Sequence, residues 1–335
     1  MIHPDKWLSI KKEGLYCIPG QFYVDPFLPV PNALITHAHG DHARSGHQHV
    51  IAHPATLAIM SIRYGDEFSV TKKPLGYFER LTINKVEIYL LPAGHILGSA
   101  QLVIEYQDTR LIISGDYKRI ADPTCEPFVA EPCDVFITEA TFGLPVFKHP
   151  PIEQELNKLI NSLTQFPERC HLLGVYGLGK CQRVIKTLRM MNYNQPIYLH
   201  GALIKLCAFY ESMGISLGEL LPASSLNVEQ SKGKLVLCPP SALHDRWSRR
   251  FSKVLVSMAS GWMQIRARAK QKGIELPLVI SDHADWHELT QTIKEVNPKE
   301  VWITHGREEA LVYYSIQQGY KAQALHLLGF EEQED

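Results

Sequence analysis

Short apolar runs that stop at a histidine, an aspartate or a glycine recur along this chain. Asn32-Ala33-Leu34-Ile35-Thr36, Val86-Glu87-Ile88-Tyr89-Leu90-Leu91, Leu111-Ile112-Ile113-Ser114 and Val301-Trp302-Ile303-Thr304 have the length and aliphatic content of buried strands. A helix is predicted from Pro54 to Tyr64, and a hairpin joins strands Ala100–Tyr106 and Arg110–Ser114 about the turn Gln107-Asp108-Thr109. The pattern changes at Val146-Phe147-Lys148-His149-Pro150-Pro151, a proline-marked joint. Beyond it, helices and strands alternate. The prediction is helix Glu153–Thr164, strand Cys170–Val175, helix Cys181–Met191, strand Pro196–His200, helix Ala202–Glu211, and strands near Lys234–Cys238 and Lys253–Ser257. From Leu276 the reading continues with strand Leu276–Ser281, helix Trp286–Val296, strand Glu300–Thr304 and helix Glu308–Gln318.

The chemistry gathers where the apolar runs end. Thr36-His37-Ala38-His39-Gly40-Asp41-His42 follows the first of them. Neutral imidazole and carboxylate are the donors that borderline divalent ions such as zinc prefer. On an extended backbone His37 and His39 point to the same side. Gly40 permits a bend that carries Asp41 and His42 to a second position. One ion would need only the first pair, so four candidate ligands in this order suggest two metals in one cleft. His95 (in Pro92-Ala93-Gly94-His95), Asp116 (in Ser114-Gly115-Asp116) and His305 (in Thr304-His305-Gly306) add a potential ligand at three more strand ends, each beside a glycine. Asp25, before Pro26, reads by itself as a turn residue.

The composition, 45% hydrophobic and 21% charged over 335 residues, is that of a soluble globular protein with ample core. The opening Met1-Ile2-His3-Pro4-Asp5-Lys6 has no apolar signal core, and no run approaches the ~18 apolar residues of a membrane span. No membrane association is expected. Seven scattered cysteines without a CxxC pair read as reduced thiols in the cytoplasm, none of them a metal ligand. A net charge of −1 gives no global basic field, but its distribution is uneven. Between Arg246 and Lys272 lie Arg249, Arg250, Lys253, Arg266, Arg268 and Lys270, with Trp247 and Trp262 and no acidic residue. Cations interleaved with aromatics suit a surface that tracks phosphates and stacks bases; a solvated face is the other meaning of such a run. Gly177-Leu178-Gly179-Lys180, between a strand and a helix, could present N–H groups and Lys180 to a phosphate. Ser257 and Ser260 are further candidates for phosphate contact.

At these residues the chain resembles the metallo-β-lactamase superfamily, whose signature is HxHxDH, then a later His, then an Asp. The resemblance implies an αββα sandwich in which His37, His39 and His95 bind one metal, Asp41, His42 and His305 the other, and Asp116 bridges them. Asp25 would orient the ligand loop from behind. The distance along the chain from Asp41 to His305 implies an inserted domain, the mark of the β-CASP nucleases. The discontinuous sandwich is then 1–145 with 276–335, and the β-CASP insertion is 146–275. Glu139, His283 and His305 match that group's motifs A, B and C, and the resemblance spans nearly the whole chain.

Within the group the chain looks most like the bacterial ligase-associated DNA exonucleases, through Gly20–Pro26, Ser260–Met263 and the short segment after His305. This implies phosphodiester hydrolysis in DNA repair, with DNA as substrate and a DNA ligase and helicase as partners. Histidine at motif C is typical of RNA-cutting members, so an RNA nuclease of the RNase J or cleavage-factor type stands as the alternative. Zinc is the expected ion, and an all-N/O ligand set suits manganese as well. Asp41 belongs to the catalytic set. His283 is expected to protonate the leaving oxygen as general acid, with Glu139 holding its charge or tautomer.

Overall fold

A computed structural model describes residues 2–326 apart from Ser252. The chain forms two compact units. Of the described residues, one unit contains those up to Lys148 and those from His283 to His326; the other is the stretch from His149 to Asp282.

Among the described residues the first unit holds two mixed sheets. One takes Leu8–Lys11, Gly14–Cys17, Phe22–Val24, Asn32–Ile35, His47–Ala52 and Ser69–Pro74 in chain order. The other runs Lys321–Ala324, Glu300–Gly306, Val135–Ala140, Thr109–Ile113, Ala100–Tyr106, Val86–Pro92 and Leu81–Ile83. The two-residue period of a strand explains how the second sheet is covered on both faces. Ile88, Leu102, Ile104, Leu111, Val135 and Ile137 pack with Leu15, Phe22 and Leu34 of the first sheet and with Trp7 just ahead of it. Their neighbours Tyr89, Val103, Ile112 and Phe136 join Leu289, Ile293 and Val296 of helix Trp286–Val296 and Leu311 of helix Glu308–Gln317. A strand buried on both faces reads as one unbroken apolar run. That is why the runs were legible.

Topology then concentrates the chemistry. Thr109–Ile113, Val135–Ala140 and Glu300–Gly306 are mutually parallel. Val86–Pro92 runs in the same direction, because it is antiparallel to Ala100–Tyr106, which is itself antiparallel to Thr109–Ile113. Their C-terminal ends share one edge of the sheet, and His95, Asp116, Glu139 and His305 lie at or just past those ends.

The second unit is built on a parallel sheet ordered Leu220–Pro222, Ile197–Leu199, Leu235–Cys238, Cys170–Gly174, Val254–Ala259 and Leu276–Leu278. Helices Ile152–Gln165, Lys180–Met190, Gly201–Ser212 and Arg266–Gln271 accompany it. The architecture is therefore mixed α/β throughout. No helix among the described residues is long and apolar enough to cross a membrane.

Two local readings change. The hairpin loop is two residues, not three, because Thr109 pairs with Tyr106 and both Gln107 and Asp108 have positive φ, as a type I′ turn requires. The boundary set at 276 moves to 283, because Leu276–Leu278 pairs with Ser257–Ala259 and so extends the second unit's sheet. Nothing in the apolar content of a three-residue strand says which sheet it will join.

Candidate metal centre

Strand Asn32–Ile35 delivers the ligand loop. Asp25, in the left-handed region at φ 43°, lies behind it. Its Oδ1 accepts the Thr36 N–H at 2.7 Å and its Oδ2 the Thr36 hydroxyl at 2.6 Å. The same Oδ2 is 2.8 Å from Nδ1 of His42. A carboxylate accepts Nδ1–H, which fixes the tautomer and leaves the Nε2 lone pair for a ligand. From helix Pro54–Tyr64, Arg63 donates to the Ala38 carbonyl and the Tyr64 hydroxyl donates to that of Ala43 at 2.7 Å. Gly115, at φ 53°, lets the aspartate loop lie against Thr36, since a Cβ there would meet Thr36 Oγ1 at 2.9 Å. The histidine loop after Ile35 and the loop that carries Asp116 are thus braced against each other.

His37, His39, His95 and Asp116 each offer a donor atom, all within 4.8 Å of one another. Oδ2 of Asp116 is 3.4 Å from Nε2 of His37, 3.4 Å from Nε2 of His42 and 3.8 Å from Nε2 of His95. Ligands about 2.0–2.1 Å from a tetrahedral ion stand about 3.3–3.4 Å apart, so these are the separations of donors around a shared cation. One carboxylate oxygen therefore lies between two sets of imidazoles. The second set is looser. Nε2 of His42 is 3.8 Å from Asp41 Oδ2, and the His305 ring stacks on that of His42 at 5.1 Å between centres and 18° between planes.

Electrostatics favour a neutral imidazole at His95 and His305 and an ionised carboxylate at Asp41 and Asp116. Burial, with His42 beside it, pushes His305 down to about 4. Burial and the neighbours His283, His39 and His37 push His95 well below the ordinary imidazole range. Burial opposes the charge on Asp116, but His42 and His283 hold it well below the carboxylate range. His42 goes the other way, because Asp116, Asp41 and Asp25 outweigh its burial and raise it well above 6.5. A cation there competes with a proton, so affinity would fall in acid. The residues present fit divalent metal ions.

Beside this cluster Nδ1 of His283 lies 3.0 Å from Oε2 of Glu139 and 4.0 Å from Oδ2 of Asp116. Glu139, 1% exposed, also accepts the Tyr117 N–H at 2.7 Å and the Thr141 hydroxyl at 2.6 Å. Asp116, Glu139 and His283 again bring donor atoms within 4.8 Å. His283 precedes the helix cap, which is Asp285: its Oδ1 accepts the Glu288 N–H at 3.0 Å, and Glu288 reaches back to the Asp285 N–H at 3.1 Å.

In the second unit several sequence candidates for phosphate contact are not presented to solvent. Lys180 is 4% exposed, and its Nζ is 3.0 Å from Asp282, which is also buried. Ser257 is fully buried and donates to the Leu172 carbonyl at 3.1 Å. The Ser260 hydroxyl accepts the Trp262 N–H at 3.3 Å, capping the turn Gly261–Gln264. Arg249, Arg250 and Arg266 are exposed, and Arg268 lies over the Trp262 ring at 4.1 Å. Sequence reasoning missed Arg63, Lys118 and Glu288. Only Glu288 had a signal, the three-residue spacing from Asp285.

No family model matches the chain. A probable DNA ligase of Opitutus terrae is 30% identical over 296 residues, 88% of this chain and 28% of that protein. Cleavage and polyadenylation specificity factor subunit 3-I of Arabidopsis thaliana is 22% identical, over 89% of this chain and 54% of its own. An RNase J-like protein of Methanocaldococcus jannaschii is 27% identical over 55% of this chain and 50% of its own. The chain thus spans between about a quarter and about half the length of these relatives. A crystal structure of a protein of unknown function from Enterococcus faecalis V583 shares the fold, with a TM-score of 0.60 at 13% identity over 89% of this chain and 80% of that one. The cleavage-factor and RNase J-like relatives are β-CASP nucleases of the metallo-β-lactamase superfamily, the group that this chain's motifs resemble.

Proposed function

We propose that this protein is a two-metal phosphodiesterase acting on nucleic acid, a DNA exonuclease of DNA repair. In this reading the first unit is the metallo-β-lactamase αββα sandwich and residues 149–282 are the β-CASP domain. The observation that carries it is the Asp116 oxygen placed 3.4 Å from both His37 and His42, beside the Glu139–His283 pair. His37, His39, His95 and Asp116 would hold one ion, and Asp41, His42, Asp116 and His305 the other. Bound there, a pair of zinc or manganese ions would supply an activated water and neutralise charge on the phosphoryl oxygens.

The chain's own groups do the rest. Asp25 keeps His42 in the ligating tautomer, and Asp41 completes the second ligand set. Glu139 accepts from Nδ1 of His283, so that Nε2 can carry a proton to the leaving oxygen. The likeness to a probable DNA ligase supports a repair role beside ligation, with a DNA ligase as partner; a helicase partner rests on the sequence resemblance alone. The RNA reading has its own support, in His305 at motif C and in relatives named endoribonuclease. Digestion of end-labelled DNA and RNA strands of matched sequence, with zinc or manganese supplied, separates the two. Faster loss of DNA is expected. Cleavage of RNA alone reverses the assignment, and cleavage of neither removes it.

The exposed arginines are proposed to pair with backbone phosphates. Arg249→Ala with Arg250→Ala should weaken binding to all sequences alike. It should also flatten the slope of log affinity against log salt by about 0.7–0.9 for each phosphate no longer neutralised. An unchanged slope in a binding titration would make the basic run a solvated face.

A further inference from the structure

Lys118 is 2% exposed, and its ammonium has two partners. Nζ lies 2.5 Å from Oε2 of Glu288 and 3.1 Å from the main-chain oxygen of His283. Glu288 is held in turn by the N–H groups of Arg119 and Ile120, each at 2.9 Å, and of Asp285 at 3.1 Å. A buried ion pair is poor evidence for stability, because desolvation consumes most of the attraction. The second partner suggests why a cation stands here.

The oxygen that Lys118 holds belongs to the peptide bond between His283 and Ala284. The nitrogen of that peptide donates to the Tyr117 carbonyl at 2.7 Å. Both sides of one peptide plane are thus fixed by two consecutive residues. The Tyr117 N–H meanwhile donates to Glu139, the partner of the His283 ring. Asp116, next in line, carries the oxygen between His37 and His42. His283 lies ahead of the helix cap and outside any sheet ladder, so no regular structure orients it. The segment 116–118 supplies that orientation. Its course is tight, because a Cβ on Gly94, beside His95, would fall 2.2 Å from the Lys118 carbonyl oxygen.

We propose that Lys118 is a positioning residue for His283: by holding the 283–284 peptide it sets the direction in which the imidazole meets the leaving oxygen. The inference rests on the general-acid reading of His283, and the test separates the two. Lys118→Met should keep both metals and bind nucleic acid. It should lose about 10–100-fold in single-turnover rate, the scale on which residues behind a reacting group act. Lys118→Arg, which keeps a charged donor, should recover most of that loss. In a His283→Ala background Lys118→Met should add little, because the group it positions is gone. A further full-sized loss in that background overturns the proposal, as does loss of a metal from Lys118→Met. Should the methionine variant fail to fold, Lys118→Met with Glu288→Gln removes both charges and keeps an acceptor for the helix cap. The same criteria then apply to it. The general-acid reading is tested apart, by whether His283→Ala spares a p-nitrophenyl phosphodiester whose leaving group needs no proton.

Discussion

Asp116→Ala is expected to abolish hydrolysis and lower the metal content of the purified protein together. The Asp116 oxygen is the atom common to both sets of imidazoles, 3.4 Å from Nε2 of His37 and of His42. Without it, the two proposed ligand sets would lose the carboxylate oxygen they share, and His42 would lose the carboxylate that does most to raise it. The drop should exceed the roughly 10–100-fold that outer partners of a metal site contribute. The backbone should survive, because Asp116 follows strand Thr109–Ile113 in a turn and its side chain fills no apolar core. Elemental analysis, circular dichroism and a cleavage assay on one preparation check this. A variant with two bound ions and full activity would sink the two-metal reading.

The same contrast between ladder and turn governs what could be read from the sequence. Runs such as Val86–Leu91 and Leu111–Ile113 are apolar on both pleats because a second sheet covers one face and helices the other. Their ends were therefore visible, and so were the polar residues placed there. Leu8–Lys11 and Lys321–Ala324 went unread, because they are short edge strands that are mostly exposed or half-buried and so carry no apolar run. The helix Trp286–Val296 was legible to the residue from its amphipathic run, and the capping box of Asp285 and Glu288 that starts it was a signal left unread.

Burial of polar groups was the blind spot. Lys180, Ser257 and Ser260 look like phosphate ligands in a linear reading, yet each spends its polar atom inside the second unit. Lys118 errs in the opposite sense, since a lysine after Asp-Tyr looks solvated while its partner Glu288 lies far along the chain. Charge pairing at long range leaves no local pattern. Metal ligands differ, because several must come from one loop, and that crowding is what Thr36–His42 displays.

His283→Ala should retain both metals and bind nucleic acid, yet lose roughly 10²–10⁴ in rate, the usual contribution of general acid–base catalysis. The geometry motivates it: Glu139 holds Nδ1 of His283 at 3.0 Å, and the ring lies beside the Asp116 oxygen at 4.0 Å. Glu139→Gln should slow the enzyme through the same proton, because an amide cannot accept Nδ1–H while also receiving the Thr141 hydroxyl and the Tyr117 N–H on charged oxygens. The double variant should then fall well short of the product of the two single losses, since groups that act as a unit are not additive. Independent roles would instead multiply. The leaving group sharpens the comparison. A p-nitrophenyl phosphodiester expels p-nitrophenolate, which leaves without a proton, so both variants should cleave it at close to the parental rate while remaining slow on an ordinary strand. Metal analysis completes the test: an ion lost from His283→Ala would make His283 a ligand, and the acid would have to be sought elsewhere among the groups around Asp116.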